Sequence, residues 1–282
     1  MAATTEEYLQ FKDYTIGYRI YRAKKKRTDR GFLFLHGRGV HSKYLENLID
    51  DALVDRYTFF SFDYPGHGRS SGPRCDVDLF KVLPPLIEYF IDRVVLKAGI
   101  KKIFIIGESL GSLVAFFTPH IIKEKIECKG LIFMPGIYEV DRFKRRTGVF
   151  LLYLLRFLAP WLKIKNKRSL RRLTDVPEFQ DLLLNDPYIY RFGSIRYLFS
   201  IYRFLRYMQE NLNTVDLPLL IFNSTKDYYT DKDLVNNYFH NKFPPGDNKR
   251  LVFLEHSVHW LLIGGDLDII KTELFQWCES ID

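Results

Sequence analysis

A serine flanked by glycines, at the junction of two differently patterned segments, constrains the fold of this 282-residue chain more than any other feature. Residues 103–106 form an Ile-rich apolar run typical of a buried strand, and residues 110–115 begin a helical pattern. Between them stands Gly107-Glu108-Ser109-Leu110-Gly111. Such a turn strains the serine backbone and crowds the positions two residues before and after it, where little but glycine fits. We therefore predict a sharp strand-to-helix turn that exposes the Ser109 hydroxyl at the carboxyl end of a parallel strand.

Strand and helix patterns alternate along most of the chain after a predicted hairpin over residues 8–22. We predict strands over residues 31–35, 57–62, 102–107, 130–134, 217–223 and 250–254. We predict helices over residues 42–53, 76–97, 109–125, 231–243 and 266–280, the second kinked or split by Pro84-Pro85. This alternation favours an α/β fold with a mostly parallel central sheet covered by helices on both faces.

The alternation stops between residues 137 and 215, where the sequence is mostly helical, aromatic and basic without a clear strand. We therefore predict one core domain built from residues 1–136 and 216–282. Residues 137–215 would form a helical cap inserted over the carboxyl edge of the sheet.

The cysteines and the apolar segments indicate which cellular compartment to expect. The three cysteines are scattered and show no paired spacing, so neither a disulfide framework nor a zinc site is indicated. The N-terminus lacks the apolar stretch of a secretory signal, and the longest apolar run, residues 149–162, contains Arg156 and is shorter than the ~20 residues that span a bilayer. We expect a cytoplasmic protein without a transmembrane helix.

An acid candidate follows one of the predicted strands. Asp227 comes after residues 217–223, so it is expected at the same sheet edge as Ser109. A serine nucleophile needs a base, the base needs an orienting acid, and in folds with this turn the chain order is serine, acid, histidine. Asp231 and Asp233 are alternatives, but they lie at the start of a predicted helix, where capping is the ordinary role of aspartate.

Two histidines follow the predicted strand over residues 250–254 and are candidates for the base. We favour His259 over His256, because a residue several positions past the strand end can reach back over the sheet. The histidines that precede the turn, His36, His41 and His67, are expected to position their loops through side-chain bonds to the backbone.

A serine nucleophile also requires two N–H donors for the developing oxyanion. The backbone amide of Leu110, directly after the serine, is the first candidate. The second is the amide of Arg38, in the glycine-rich loop His36-Gly37-Arg38-Gly39 that follows a predicted strand.

The net charge of +8 is concentrated in one segment of the predicted cap. From residue 142 to residue 172 there are eleven basic residues and no acidic one: Arg142, Lys144, Arg145, Arg146, Arg156, Lys163, Lys165, Lys167, Arg168, Arg171 and Arg172. No nucleic-acid-binding motif accompanies them, so we do not expect a nucleic-acid partner. The aromatic run over residues 148–162, flanked by these cations, suits the surface of an anionic membrane, and the alternative is a helix buried against the core.

Three motifs together resemble the α/β-hydrolase superfamily, and more narrowly its monoacylglycerol lipase and lysophospholipase branch. They are His36-Gly37-Arg38-Gly39-Val40-His41-Ser42, the segment Asp63-Tyr64-Pro65-Gly66-His67-Gly68-Arg69-Ser70-Ser71-Gly72, and the turn around Ser109. The resemblance implies oxyanion amides at Arg38 and Leu110, the nucleophile Ser109, the acid Asp227 and the base His259, since Glu255 and His259 have the family's Glu-x-x-x-His spacing. Two departures are Asn223-Ser224-Thr225, where the family usually has a glycine before the acid, and Glu108, where histidine is frequent.

The sequence thus predicts a serine carboxylic ester hydrolase that cleaves single-chain acyl lipids such as monoacylglycerol. No metal or organic cofactor is required by this chemistry. Three alternatives remain: a lysophospholipase, an aminopeptidase of the same fold, and a non-catalytic binding protein. The aminopeptidase is disfavoured because residues 142–172 offer no carboxylate to hold a free amine. The expected partners are a lipid ester and, peripherally, an anionic membrane.

Overall fold

A computed structural model describes residues 4–24, 28–136, 146–165 and 172–281. Its strands are β1 (Thr4–Phe11), β2 (Tyr14–Tyr21), β3 (Arg30–Leu35), β4 (Thr58–Phe62), β5 (Lys102–Glu108), β6 (Glu127–Met134), β7 (Lys163–Lys165), β8 (Phe192–Ser194), β9 (Leu219–Ser224) and β10 (Lys249–Leu254). Its α-helices are α1 (Asp51–Val54), α2 (Leu79–Phe90), α3 (Leu110–Ile122), α4 (Arg146–Leu158), α5 (Pro177–Asn185), α6 (Ile195–Asn211), α7 (Lys232–Asn241) and α8 (Leu267–Ser280).

Eight strands form one sheet in the order β1-β2-β4-β3-β5-β6-β9-β10. The β1-β2 hairpin and the β2-β4 pair are antiparallel, and the pairs from β4 through β10 are parallel. The predicted N-terminal hairpin and mostly parallel sheet are therefore confirmed.

The central strands are apolar on both faces because helices cover both faces. Since successive strand residues point to opposite sides, Leu33 and Ile105 pack with residues of α2 and α3, whereas Phe34 and Ile106 pack with Trp277 of α8. We call these the α3 face and the α8 face of the sheet. The carboxyl ends of β3, β5, β9 and β10 meet at one edge, and this edge carries the candidate site.

Two predicted helices differ from the structure. The segment predicted as a helix over residues 42–53 is a 3₁₀ turn, Ser42–Asn47, followed by the short α1, and the N-cap of the 3₁₀ turn is His41. The second predicted helix is not split at Pro84-Pro85. Instead, α2 runs through both prolines to Phe90. The chain then passes through a π-type turn and a 3₁₀ turn that ends at Gly99, whose φ of 85° favours glycine.

The chain between β6 and β9 contributes no strand to the central sheet among its described residues. It contains α4, α5, α6 and the antiparallel pair β7-β8, which the sequence did not predict because three-residue strands are too short to show alternation. Phe204 and Met208 of α6 join the core on the α3 face. None of the helices within the described ranges is both long and apolar enough to cross a membrane.

Candidate active site

Ser109 lies in the turn between β5 and α3 with φ 55° and ψ −118°, a conformation that L-residues rarely adopt. The glycines around it have no room for a side chain. A Cβ on Gly107 would lie 2.3 Å from the carbonyl oxygen of Gly111, and a Cβ on Gly111 would lie 1.8 Å from that of Leu35. The predicted strained turn is therefore present, and backbone contacts explain its glycines.

Hydrogen bonds from neighbouring segments hold this turn in place. The backbone N–H of Ser109 donates to the carbonyl oxygen of Met134 at 2.8 Å, and the N–H of Ser112 donates to the carbonyl oxygen of Ser109 at 2.9 Å. The hydroxyl of Ser112 donates to the carbonyl oxygen of Gly107 at 2.6 Å. The strained backbone is thus fixed by bonds on both sides of the serine.

His259 is the histidine that the structure brings to Ser109. Its Nε2 lies 3.2 Å from the Ser109 hydroxyl, and its side chain is 9% exposed. The backbone N–H groups of His259 and Trp260 donate to the carbonyl oxygen of Leu173, at 3.2 and 2.7 Å. His256 is instead exposed, and its N–H donates to the carboxylate of Asp266.

The side chain of Asp227 is fully buried and lies behind the imidazole of His259. The carboxylate oxygens are 3.0 and 2.9 Å from Nδ1, and the backbone N–H of Tyr229 and the hydroxyl of Thr230 also donate to them. Burial opposes ionisation of this carboxyl, but the attraction of His259 and these hydrogen bonds outweigh it and hold the pKa of Asp227 below its usual value. Because the carboxylate can only accept, Nδ1 carries the proton and Nε2 is left to accept from Ser109.

The competing aspartates have other roles. Asp231 is the N-cap of α7, where its carboxylate accepts from the N–H groups of Asp233 and Leu234 at 3.0 and 3.1 Å. Asp233 lies exposed in the first turn of the same helix. The structure therefore brings Asp227, and neither alternative, to the histidine.

The glycine-rich loop after β3 lies directly against the serine. A Cβ on Gly37 would be 3.3 Å from Cβ of Ser109. Buried His36 shapes this loop, since its Nδ1 donates to the carbonyl oxygen of Gly37 at 2.8 Å and its Nε2 accepts from the N–H of Tyr64 at 3.0 Å. This loop carries Arg38, whose side chain is exposed, while Leu110 opens α3 on the other side of Ser109.

His67 and His41, which also precede Ser109 in the sequence, hold their loops through bonds to both backbone and side-chain groups. His67 bonds to the carbonyl oxygen of Pro65 at 3.2 Å and to the hydroxyl of Tyr197 at 3.0 Å. His41 accepts from the N–H of Lys43 and contacts the carboxylate of Asp186 at 2.8 Å.

Sequence reasoning missed several residues around the imidazole. The ring of Tyr229 lies 4.5 Å from that of His259, and the buried Thr230 hydroxyl, which donates to Asp227, also lies 2.8 Å from the side-chain oxygen of Asn223. Asn223 is one of the departures from the family pattern, and here its side-chain oxygen lies beside the threonine that donates to the acid. No spacing rule signals this contact, because it depends on how the segment after β9 folds back.

The arrangement can pass a proton between a serine hydroxyl and an imidazole while a carboxylate fixes the ring. Among the residues that the structure describes, no three His, Cys, Asp or Glu side chains are grouped to hold a metal ion.

The chain is similar to known hydrolases. A family model described as "Serine aminopeptidase, S33" matches residues 26–266. Caffeoylshikimate esterase of Arabidopsis thaliana is 27% identical over 79% of this chain and 69% of that protein. Monoglyceride lipase of Saccharomyces cerevisiae is 23% identical over 98% of this chain and 95% of that protein.

The chain also resembles other proteins over part of its length, and one solved structure over nearly all of it. Putative esterase/lipases of two Mycoplasma species match 40% of this chain, which spans only 41% of each of those proteins. The crystal structure of Paleococcus ferrophilus monoacylglycerol lipase has a TM-score of 0.80 at 19% identity, covering 95% of this chain and 99% of that one. The fold is therefore shared over nearly the whole chain.

Proposed function

The chain belongs to the α/β-hydrolase family described as serine aminopeptidase, S33, and we propose that this member is a serine esterase acting on single-chain lipids such as monoacylglycerol. One observation carries the proposal: Ser109, His259 and Asp227 form a continuous chain with separations of 3.2 and 2.9 Å. These distances are within hydrogen-bond reach, as a nucleophile, base and orienting acid require.

In the proposed mechanism Ser109 attacks the ester carbonyl while Nε2 of His259 takes the hydroxyl proton. The same proton passes to the leaving alcohol, which leaves an acyl group on Ser109. Water, deprotonated by His259, then releases the fatty acid. Asp227 holds the imidazole and stabilises its charged form, and the amides of Leu110 and Arg38 stabilise the oxyanion.

The exposed surface of α4 and the segment after it supports a lipid substrate. Phe150, Phe157 and Trp161 are 70%, 72% and 63% exposed. Other exposed apolar side chains in the same stretch are Leu151, Leu154, Leu158, Leu162 and Ile164. We call these eight residues the α4 surface. An exposed apolar patch of this size is unusual on a protein that meets only water.

We further propose that the α4 surface rests on an anionic membrane. Lys163 and Lys165 are exposed beside it, and the guanidinium of Arg156 lies over the ring of Phe157 at 4.2 Å. The opposite side of α4 packs on α6, where the rings of Tyr153 and Phe199 are 5.1 Å apart. A helix buried against the core would not leave these aromatic side chains exposed. Of the remaining cations of this segment, Arg142, Lys144, Arg145, Lys167, Arg168 and Arg171 lie outside the described residues.

A substrate panel tests the proposed activity. Purified protein is assayed with a monoacylglycerol, a lysophospholipid, an acetyl ester, a caffeoyl ester and an aminoacyl amide, with Ser109→Ala as the control. We expect the largest kcat/KM for one of the two single-chain lipids and none above background in the control. Equal values for acetyl and long-chain esters would contradict lipid specificity.

The aminoacyl arm of the panel addresses the second candidate, because the matching family carries an aminopeptidase description. Turnover of the aminoacyl amide above that of every ester would overturn the esterase proposal in favour of a peptidase on the same site.

A further inference from the structure

Glu108, the residue directly before the serine, is a buried carboxyl that the proposed mechanism does not use. It is the last residue of β5 and only 2% exposed. By strand alternation its side chain shares the α8 face with Phe104 and Ile106, which lie in the second apolar core. Glutamate is almost never this buried unless it is paired.

The groups around Glu108 come from the segment that carries His259. They include the indole N–H of Trp260 and the backbone N–H of Leu262, which favour its charged form. Even so, Oε1 of Glu108 and Nε1 of Trp260 are both buried without a hydrogen-bond partner among the described residues. The carboxyl therefore lies between the strained turn and the segment that carries His259. Neither of them supplies a hydrogen-bond partner for its Oε1.

The 3₁₀ turn Ser42–Asn47 closes this site from a third side. The ring of Tyr44 lies 4.7 Å from that of Trp260, and Asn47 donates to the carbonyl oxygen of Leu262 at 3.0 Å. Tyr44 is the titratable group that this turn presents to Glu108, and burial raises the pKa of Tyr44 far above neutrality. Its hydroxyl donates to the carboxylate of Asp186 at 3.0 Å, so this side presents a further acidic group and not a cation that would favour ionised Glu108.

The surroundings favour the neutral acid. Burial raises the pKa of Glu108 to about 8, although the Trp260 and Leu262 N–H groups act in the opposite direction. At neutral pH the carboxyl is thus mostly protonated, and it carries one O–H donor besides its acceptor.

We propose that Glu108 is a positioning residue that links the Ser109 turn to the His259 segment as a neutral carboxylic acid, and that loss of its proton slows the reaction at Ser109. Ionisation would place a negative charge one residue from the serine, where the transition state develops an oxyanion. It would also draw the N–H groups of Trp260 and Leu262 toward the carboxylate, and so displace the neighbouring His259. This inference rests on the proposed serine hydrolase function.

The test measures the rate constant for fluorophosphonate labelling of Ser109 across neutral and alkaline pH. We compare wild type with Glu108→Gln, which keeps the shape and stays neutral, and with Glu255→Gln, which removes an exposed carboxylate from the same segment. Hydrolysis of monoacylglycerol supplies kcat and KM under the same conditions.

As pH rises, we expect the labelling rate constants of wild type and Glu255→Gln to fall several-fold with a midpoint near pH 8. Glu108→Gln should keep the neutral-pH rate and lack this fall. The loss should appear in kcat and not in KM. The same alkaline fall in folded Glu108→Gln would overturn the inference alone, and absence of labelling at every pH would overturn the proposed function.

A second measurement tests the inference even if Glu108→Gln does not fold. In Ser109→Ala protein, isotope-edited infrared spectra of ¹³C-labelled glutamate, with Glu255→Gln for comparison, should show one protonated carboxyl that is lost over the same pH range as the labelling rate of wild type. Complete ionisation of all glutamates at neutral pH would contradict the inference.

Discussion

At the scale of single residues, the backbone of Ser109 is strained and its neighbours keep it so. Its positive φ costs on the order of 1–3 kcal/mol in an L-residue. The bonds from Met134 and Ser112 and the close approach of Gly37 hold the conformation. A hydroxyl fixed in this way needs no reorganisation before it meets the imidazole of His259, which is the advantage that preorganised sites have over flexible ones.

We expect Ser109→Ala and His259→Ala to lower kcat for the lipid ester by several orders of magnitude, because triad members act as a unit. Asp227→Asn should have a large effect for a different reason: an amide can donate to Nδ1 and so favour the wrong tautomer. His256→Ala is the matched control, since His256 is exposed on the same segment. Loss of activity in the control, with His259→Ala near wild type, would mean that the base is wrongly assigned.

Glu108 should also make stability depend on pH. Its folded-state pKa, about 8, lies above the ordinary value of 4.5, so between these values the folded state binds a proton that the unfolded chain has lost. The contribution of this group is therefore fully present below about pH 4.5 and is lost as pH rises through about 8. Urea unfolding from about pH 4.5 to about pH 8 should show a smaller loss in the free energy of unfolding for Glu108→Gln than for wild type. Parallel pH profiles for the two proteins would contradict a buried carboxyl with a raised pKa.

At the scale of elements, the segment between β6 and β9 holds both loops that flank the serine. The N–H of Tyr190 donates to the carbonyl oxygen of Gly39 at 2.7 Å, and the carbonyl oxygen of Leu173 accepts from His259 and Trp260. On α6, the hydroxyl of Tyr197 bonds to Nε2 of His67 at 3.0 Å. Since Nδ1 of His67 faces a carbonyl oxygen, Nε2 is the acceptor, and burial lowers the pKa of His67 to about 3.

Tyr197→Phe should therefore weaken catalysis from a distance. It removes the hydrogen bond from the tyrosine hydroxyl and leaves buried Nε2 of His67 with only the weakly donating thiol of Cys75, 3.6 Å away, and losing a buried hydrogen-bond partner costs about 1–3 kcal/mol. We expect a lower melting temperature and a several-fold lower kcat with little change in KM. Tyr207→Phe is the control, because Tyr207 is on the same helix and packs its ring on Phe117. A kcat for Tyr197→Phe equal to that of the control would show that α6 does not position the loops.

The strands and helices could be predicted from the sequence where their patterns extend over many residues. The strands from β3 to β6 and from β9 to β10 have long apolar runs, and glycines mark the turn at Ser109. The β7-β8 pair and the π-type turn after Phe90 have no such pattern, because their conformation depends on tertiary contacts. The same reason explains the site: chain order predicts Ser109, Asp227 and His259, whereas the contacts of Thr230 and Glu108 arise only when distant segments pack.

At the scale of the whole molecule, the net charge of +8 and the exposed α4 surface both favour the proposed contact with an anionic membrane. Each Lys or Arg near an anionic membrane contributes on the order of 1 kcal/mol, and aromatic side chains add burial at the headgroup level. This attraction is screened over ~8 Å at physiological ionic strength, so it should fall as salt is added.

Vesicle co-sedimentation should show binding that requires anionic lipid and weakens with salt. Phe157→Ser combined with Trp161→Ser should reduce it further, whereas Tyr8→Ser, which removes an exposed aromatic ring from the edge strand β1, should not. Binding that is insensitive to lipid charge, to salt and to the α4 substitutions would contradict membrane contact through this surface.

The central claim is that Ser109 is the nucleophile of a serine hydrolase, and covalent labelling with a fluorophosphonate tests it most directly. Mass spectrometry of the labelled wild-type protein should place one phosphonyl group on the peptide that contains Ser109. Labelling should be abolished in Ser109→Ala, strongly slowed in His259→Ala and unchanged in His256→Ala. A label on another residue, or equal labelling of wild type and Ser109→Ala, would contradict the account.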